Sequence, residues 1–130
     1  MKKIILIFGG SLITLLLLGY VVIYIWIDID VKNNIRVVKE KYPGKAEDAL
    51  IAYLLDTTNS PRDRSHIAIW TLGQIHSEKA IPVLNGFYKN DPKGKTCKGR
   101  HDSVLCQYEI YKALNACKTN WWPLHSRLNK

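Results

Sequence analysis

The chain has 130 residues, 47% of them hydrophobic, and 19 Lys and Arg against 11 Asp and Glu give a formal charge of +8. Setting aside a membrane segment leaves about 100 residues, which is enough for one small domain with a modest core. Three cysteines permit one disulfide and leave one thiol over.

Ile4 to Ile27 is an unbroken apolar run with no charge, preceded by Lys2 and Lys3 and followed by Asp28 and Asp30. As a helix it reaches roughly 36 Å, enough to cross a hydrocarbon core of about 30 Å. The lysines lead and the acids follow, so the positive-inside rule predicts an N-terminus in the cytoplasm and a C-terminal domain that is periplasmic or extracellular. Tyr20, Tyr24 and Trp26 fall where the outer aromatic belt belongs. A cleaved signal peptide is the alternative, but such segments are shorter and end in small residues. The exit here, Tyr24-Ile25-Trp26-Ile27, is bulky, which favours an uncleaved single-pass anchor in the cytoplasmic membrane. Gly10 and Thr14 form a small-xxx-small pair of the kind that seats a second helix.

Charge is uneven beyond the anchor. Residues 28–92 balance acids and bases, whereas 93–130 set Lys93, Lys95, Lys98, Arg100, Lys112, Lys118, Arg127 and Lys130 against Asp102 and Glu109. A basic segment favours anionic partners or serves simply as a solvated face. Nucleic acid is not expected as a partner, because the predicted topology turns the domain away from the cytoplasm.

The remaining pattern is helical. Val31, Ile35, Val38 and Tyr42 make one stripe of a short juxtamembrane helix that Pro43-Gly44 ends. Ala46 to Asp56 is a second helix, with Ala49, Leu50, Tyr53 and Leu54 on one face. Ser60, Pro61 and Asp63 make an N-terminal capping arrangement for a third helix running to Ile75. Ser77 opens a fourth, carrying Ala80, Ile81, Leu84, Phe87 and Tyr88, with Pro82 delaying its start. Asn90 to Asp102 is a long basic loop, and a fifth helix covers Ser103 to Lys118. Trp121-Trp122-Pro123-Leu124 reads as a short last helix or packed tail.

Cys106 and Cys117 are eleven positions apart on the predicted fifth helix, about 16 Å, whereas bridged cysteines need Cα atoms within about 7 Å. Cys97 lies in the loop and can fold back, so the predicted bridge is Cys97–Cys106, with Cys117 buried as a small hydrophobe. Cys97, His101 and Cys106, with His125 as a loose fourth member, also form a zinc-type set. Their spacing matches no common zinc module, and no metal site is expected.

Leu72-Gly73-Gln74-Ile75 aligns with Leu114-Asn115-Ala116-Cys117, and Ala80-Ile81-Pro82-Val83 with Trp121-Trp122-Pro123-Leu124, at offsets of 42 and 41. A period near 40 in helical sequence marks stacked helix pairs. The segment Ile67 to Leu84, with Ala68, Leu72-Gly73 and Ala80-Ile81-Pro82-Val83-Leu84, resembles a HEAT repeat of the short type named after phycobilisome lyases. The resemblance spans about residues 45 to 120. Where that family carries a Val-Arg pair, this chain has Arg64 and Ser65, and its second copy has Asn115 and Ile110 at the glycine and small positions.

The resulting expectation is an all-α chain: an anchor over 1–30, a juxtamembrane amphipathic helix over 31–44, and a HEAT-like α-solenoid over 45–130. The resemblance implies protein binding and names no catalytic residues. No nucleophile set, phosphate loop or paired carboxylates suggests an enzyme, and no cofactor is expected. The expected function is a membrane-anchored adaptor or accessory subunit, with self-association also open. A membrane-anchored immunity or inhibitor protein against an exported toxin is the alternative, and a lyase-type accessory enzyme is a third. The candidate partner-binding residues are Lys93, Lys95, Lys98, Arg100, Trp121 and Trp122. The tryptophan pair reads more simply as a cap on the last repeat.

Overall fold

The computed structural model describes residues 2–118, with side chains from Ile13 onward. Among the described residues the secondary structure is entirely helical. Helix α1, Lys2–Lys41, joins the apolar run and the juxtamembrane stripe in one rod of 40 residues, roughly 60 Å long. No Pro interrupts it and nothing caps it internally, so the two segments share one axis. Leu15, Leu16, Leu17 and Leu18 are 58% to 66% exposed. Successive residues on a helix step around its axis, so four exposed leucines in a row leave the whole circumference apolar and uncovered. The helix is long and apolar enough to cross a membrane.

Below that stretch the same helix changes character. Val31 and Val38 are fully buried, and Ile27, Ile35 and Tyr42 pack against the same core. The predicted stripe therefore exists, and it forms a wall of the head domain. Helix α2, Ala46–Leu55, turns Ala49, Leu50, Tyr53 and Leu54 into that core.

Helix α3 is one rod over residues 61–74 built of three stretches: Pro61–Asp63, a π-helical stretch Arg64–Ile69, and Trp70–Gln74. Its start is the one the sequence predicts. Pro61 occupies the first turn, and Ser60 Oγ accepts from the Asp63 N–H at 3.1 Å. The π register brings Arg64 and Ser65 inward beside Ala68 and Ile69. Arg64 Nε donates to the Leu54 carbonyl at 2.6 Å, tying α3 to the end of α2.

Pro82 displaces the fourth helix as expected. Ser77 precedes a 3₁₀ turn, Glu78–Ala80, and α4 runs from Ile81–Phe87. Helix α5 is Gln107–Lys118, so the expected start at Ser103 is wrong. Residues 101–105 are turn and coil, because Cys106 is held both by the adjacent cysteine and by its own N–H, which donates to Ser65 Oγ at 3.3 Å.

Contacts give the directions of the helices. At one end of α3, Ser65 meets Cys106; at the other, Gly73 abuts Ala113 and Leu72 O meets Cys117 Sγ. Helix α5 therefore runs parallel to α3, while α4 runs the other way, packing on α5 and bringing the Phe87 ring to 5.6 Å from Arg64 near the start of α3. Helix α1 runs antiparallel to α3, since Asn34 Nδ2 donates to Thr71 Oγ1 while Lys41 and Tyr42 reach Asp56, just before α3 begins.

Candidate functional site

The loop between α4 and α5 is built, not slack. Asp91 anchors it by accepting from the Thr96 N–H and hydroxyl, both at 2.8 Å. The backbone N–H of Thr96 is the main cause holding the Asp91 carboxyl below its usual range, with the Thr96 hydroxyl and the Lys95 and Lys93 N–H groups adding to it; partial desolvation opposes them. Gly94 at φ 61° and Gly99 at φ 72° turn the chain where an L side chain is disfavoured. Gln107 closes the base of the loop: its Nε2 donates to Phe87 O at 3.2 Å and its Oε1 accepts from Lys89 N–H at 2.7 Å.

Cys97 and Cys106 meet with Cα atoms 5.0 Å apart and sulfurs at bonding distance, the predicted pair. Cys117 is free and buried, as its position on α5 requires. Lys93, Lys95, Lys98 and Arg100 are all exposed on the clipped loop. Asp102 lies 3.7 Å from Arg62 at the start of α3. Because α1 and α3 are antiparallel, that places the loop at the end of the head remote from the apolar part of α1. The four exposed cations therefore belong to that remote end.

His101 also belongs to this loop. One ligand-type atom each from Cys97, His101 and Cys106 lies within 4.8 Å of the other two. His125, the loose fourth member, and Trp121 and Trp122, the other candidate binding residues, lie outside the described residues, as does the second half of the aligned repeat.

The sequence reading missed a second surface. A cleft of about 560 Å³ runs between α3 and α5, lined by Trp70, Gly73, Gln74, Tyr108, Tyr111 and Lys112 among others. Gly73 lets the helices approach, and the cleft opens beside that contact. Lys112 lies over the Tyr108 ring at 4.6 Å and pairs with Glu109 at 2.9 Å. Tyr111 stacks on Tyr88 at 6.3 Å. Buried in this wall, Gln74 Oε1 has no hydrogen-bond partner, which leaves an amide acceptor at the cleft. The available signal was the spacing of Tyr108 and Tyr111, aromatic residues on the face of α5 opposite Ile110, Ala113 and Leu114. A search against family models, curated proteins and solved structures finds no match to this chain.

Proposed function

We propose that the chain is a membrane-anchored adaptor: α1 spans the cytoplasmic membrane with Lys2 and Lys3 inside, and the helical head binds a protein partner on the other side. The observation that carries this reading is the continuity of α1. Its first part presents apolar surface on every side, and its last part supplies Val31 and Val38 to the core of the head. A head built onto its own anchor is held at a set height and tilt, an arrangement suited to positioning a partner at the membrane. Two features support a HEAT-like stack: the reversed direction of α4 relative to α3, and the parallel course of α5. The crossing of α1 against α3 caps this stack on one side. The basic loop and the aromatic cleft are the two surfaces offered to the partner; the loop fits an acidic one.

The test is photocrosslinking in intact membranes, with a crosslinkable residue at Lys98, at Tyr108 or at Glu78, a solvent-exposed control. A discrete adduct from the first or second position, absent from the third, supports the adaptor reading. The same adduct pattern from all three sinks it. Orientation is tested separately. Alkaline phosphatase fused after Lys130 should be active in a bacterial host, and activity of a cytoplasmic reporter at that position would reverse the topology.

A further inference from the structure

We propose that, once its disulfide is reduced by a thiol reductant, the Cys97–Cys106 clip and His101 together form a binding site for a soft divalent cation of the Zn²⁺ class. Metal and disulfide are then alternative closures of one loop. The site is independent of the adaptor reading.

The geometry carries it. Zinc binds thiolate at about 2.3 Å and imidazole at about 2.0–2.1 Å, and a tetrahedral arrangement sets such ligand atoms roughly 3.4–3.8 Å apart. The sulfurs of Cys97 and Cys106 and one imidazole nitrogen of His101 already lie within 4.8 Å of one another. Adjustments of about an ångström bring them to coordination distance. Opening the S–S bond gives the sulfurs the separation they need, and Gly99 allows the turn carrying His101 to shift.

Burial suits the roles. Cys97 is 2% exposed and Cys106 3%, so the sulfurs are shielded from solvent, while His101 is exposed and gives the ion a way in. Gly94 keeps the wall around Cys97 open: a Cβ there would stand 3.1 Å from Cys97 Sγ and 2.9 Å from Tyr108 Cβ. Three protein ligands leave the fourth position to water, the arrangement of an open zinc site. Lys98 and Arg100 favour thiolates and repel a dication. Two thiolates and a neutral imidazole bring the metal complex to zero charge, so little of that repulsion survives.

The steps balance. Two reductant thiols supply two electrons and two protons to the S–S bond and leave as the reductant's own disulfide, giving two cysteine thiols. The cation then displaces both thiol protons to solvent and accepts a lone pair from His101.

The experiment uses the full chain in detergent micelles, either as the disulfide or after reduction by a phosphine that is then removed. Each form is titrated with Co²⁺ and back-titrated with Zn²⁺. Reduced protein should take up one Co²⁺ per chain with a thiolate-to-cobalt charge-transfer band, which Zn²⁺ abolishes; the disulfide form should show no band. His101→Ala changes an exposed side chain, so it leaves the fold intact. Because loss of an outer-shell partner alone costs about 10–100-fold in metal affinity, loss of this ligand should weaken binding at least tenfold. Cys117→Ser should bind like the parent. No band in the reduced parent, an equal band in the Cys97→Ser/Cys106→Ser double variant, or undiminished affinity in His101→Ala would each overturn the site.

Discussion

Asp56 is the side chain that fastens α1 to the head. Its carboxylate accepts from Tyr42 Oη, from the Thr58 hydroxyl at 2.7 Å and N–H at 2.8 Å, and from Lys41 Nζ at 2.9 Å. The Tyr42 hydrogen bond, followed by those from Thr58 and Lys41, holds its pKa far below the ordinary carboxylate value. A carboxyl depressed in the folded state stabilises it fully above the unfolded pKa of about 3.9, and that stabilisation is lost as pH falls below it. Asp56→Asn should therefore lower the melting temperature at pH 7 and flatten its fall below about pH 4. Melting curves of parent and variant that stay parallel across that acid range would remove Asp56 from this role. Cys117 gives a second residue-scale prediction. Burial pushes its thiol up to about 11, and its Sγ lies 3.5 Å from Leu72 O, so at pH 8 it should resist alkylation in the native protein. Denatured, unreduced protein should show one reactive thiol per chain, mapped to Cys117; three would mean the clip is open. The helix start at Ser60 was legible in the sequence because a cap is a local motif. The Asp56 cluster was not, because Lys41 and Tyr42 lie a loop and a helix away and meet Asp56 only through the path of α1.

Among the elements, α3 and α5 approach closely at Gly73. A Cβ on Gly73 would stand 3.1 Å from Ala113 Cα and 3.3 Å from its Cβ, so the glycine sets how near the two helices come. Gly73→Ala gains about 1 kcal/mol of helix propensity and gives back a similar amount as α5 shifts by a few tenths of an ångström. Gly73→Leu gains nearly as much helix propensity, but its larger side chain cannot be seated by so small a shift, and it should destabilise on balance by about 1–3 kcal/mol in chemical denaturation. It should also move the tryptophan fluorescence, since Trp70 lines the cleft beside it. A leucine variant as stable as the parent would show that this contact is loose. The apolar spacing made α2, α3 and α5 legible as helices, and Pro82 marked the delayed start of α4. The π stretch over Arg64–Ile69 was not legible. It turns Arg64 inward onto the Leu54 carbonyl, at 5.6 Å from the Phe87 ring, an inversion of the usual pattern that only the neighbouring helices dictate. The late start of α5 has the same origin: a tether at Cys106 overrides the helical tendency of the residues before it.

At the scale of the whole molecule, a boundary at residue 45 separates the juxtamembrane stripe from the rest by sequence pattern, yet the core crosses it. Val31 and Val38, both fully buried, share one cluster with Leu50, Leu54, Leu72 and Leu84. Burying a valine side chain completely contributes about 1.5–3 kcal/mol, a large part of the stability of a domain this small. Removing the stripe also strips Tyr42 from its edge-on contact with Tyr53 at 6.0 Å, and with it the Asp56 cluster. A fragment of residues 28–130 should thus unfold cooperatively and be strongly helical by circular dichroism. A fragment of residues 45–130 should lose the cooperative transition and bind a hydrophobic dye, its core open along the groove that α1 fills. Equal cooperativity in the two fragments would mean that α1 merely rests on a finished domain. Loss of folding in the shorter one alone would mean that α1 and the fold of the head are one continuous structure, in which a change in the course of α1 reaches the core of the head directly.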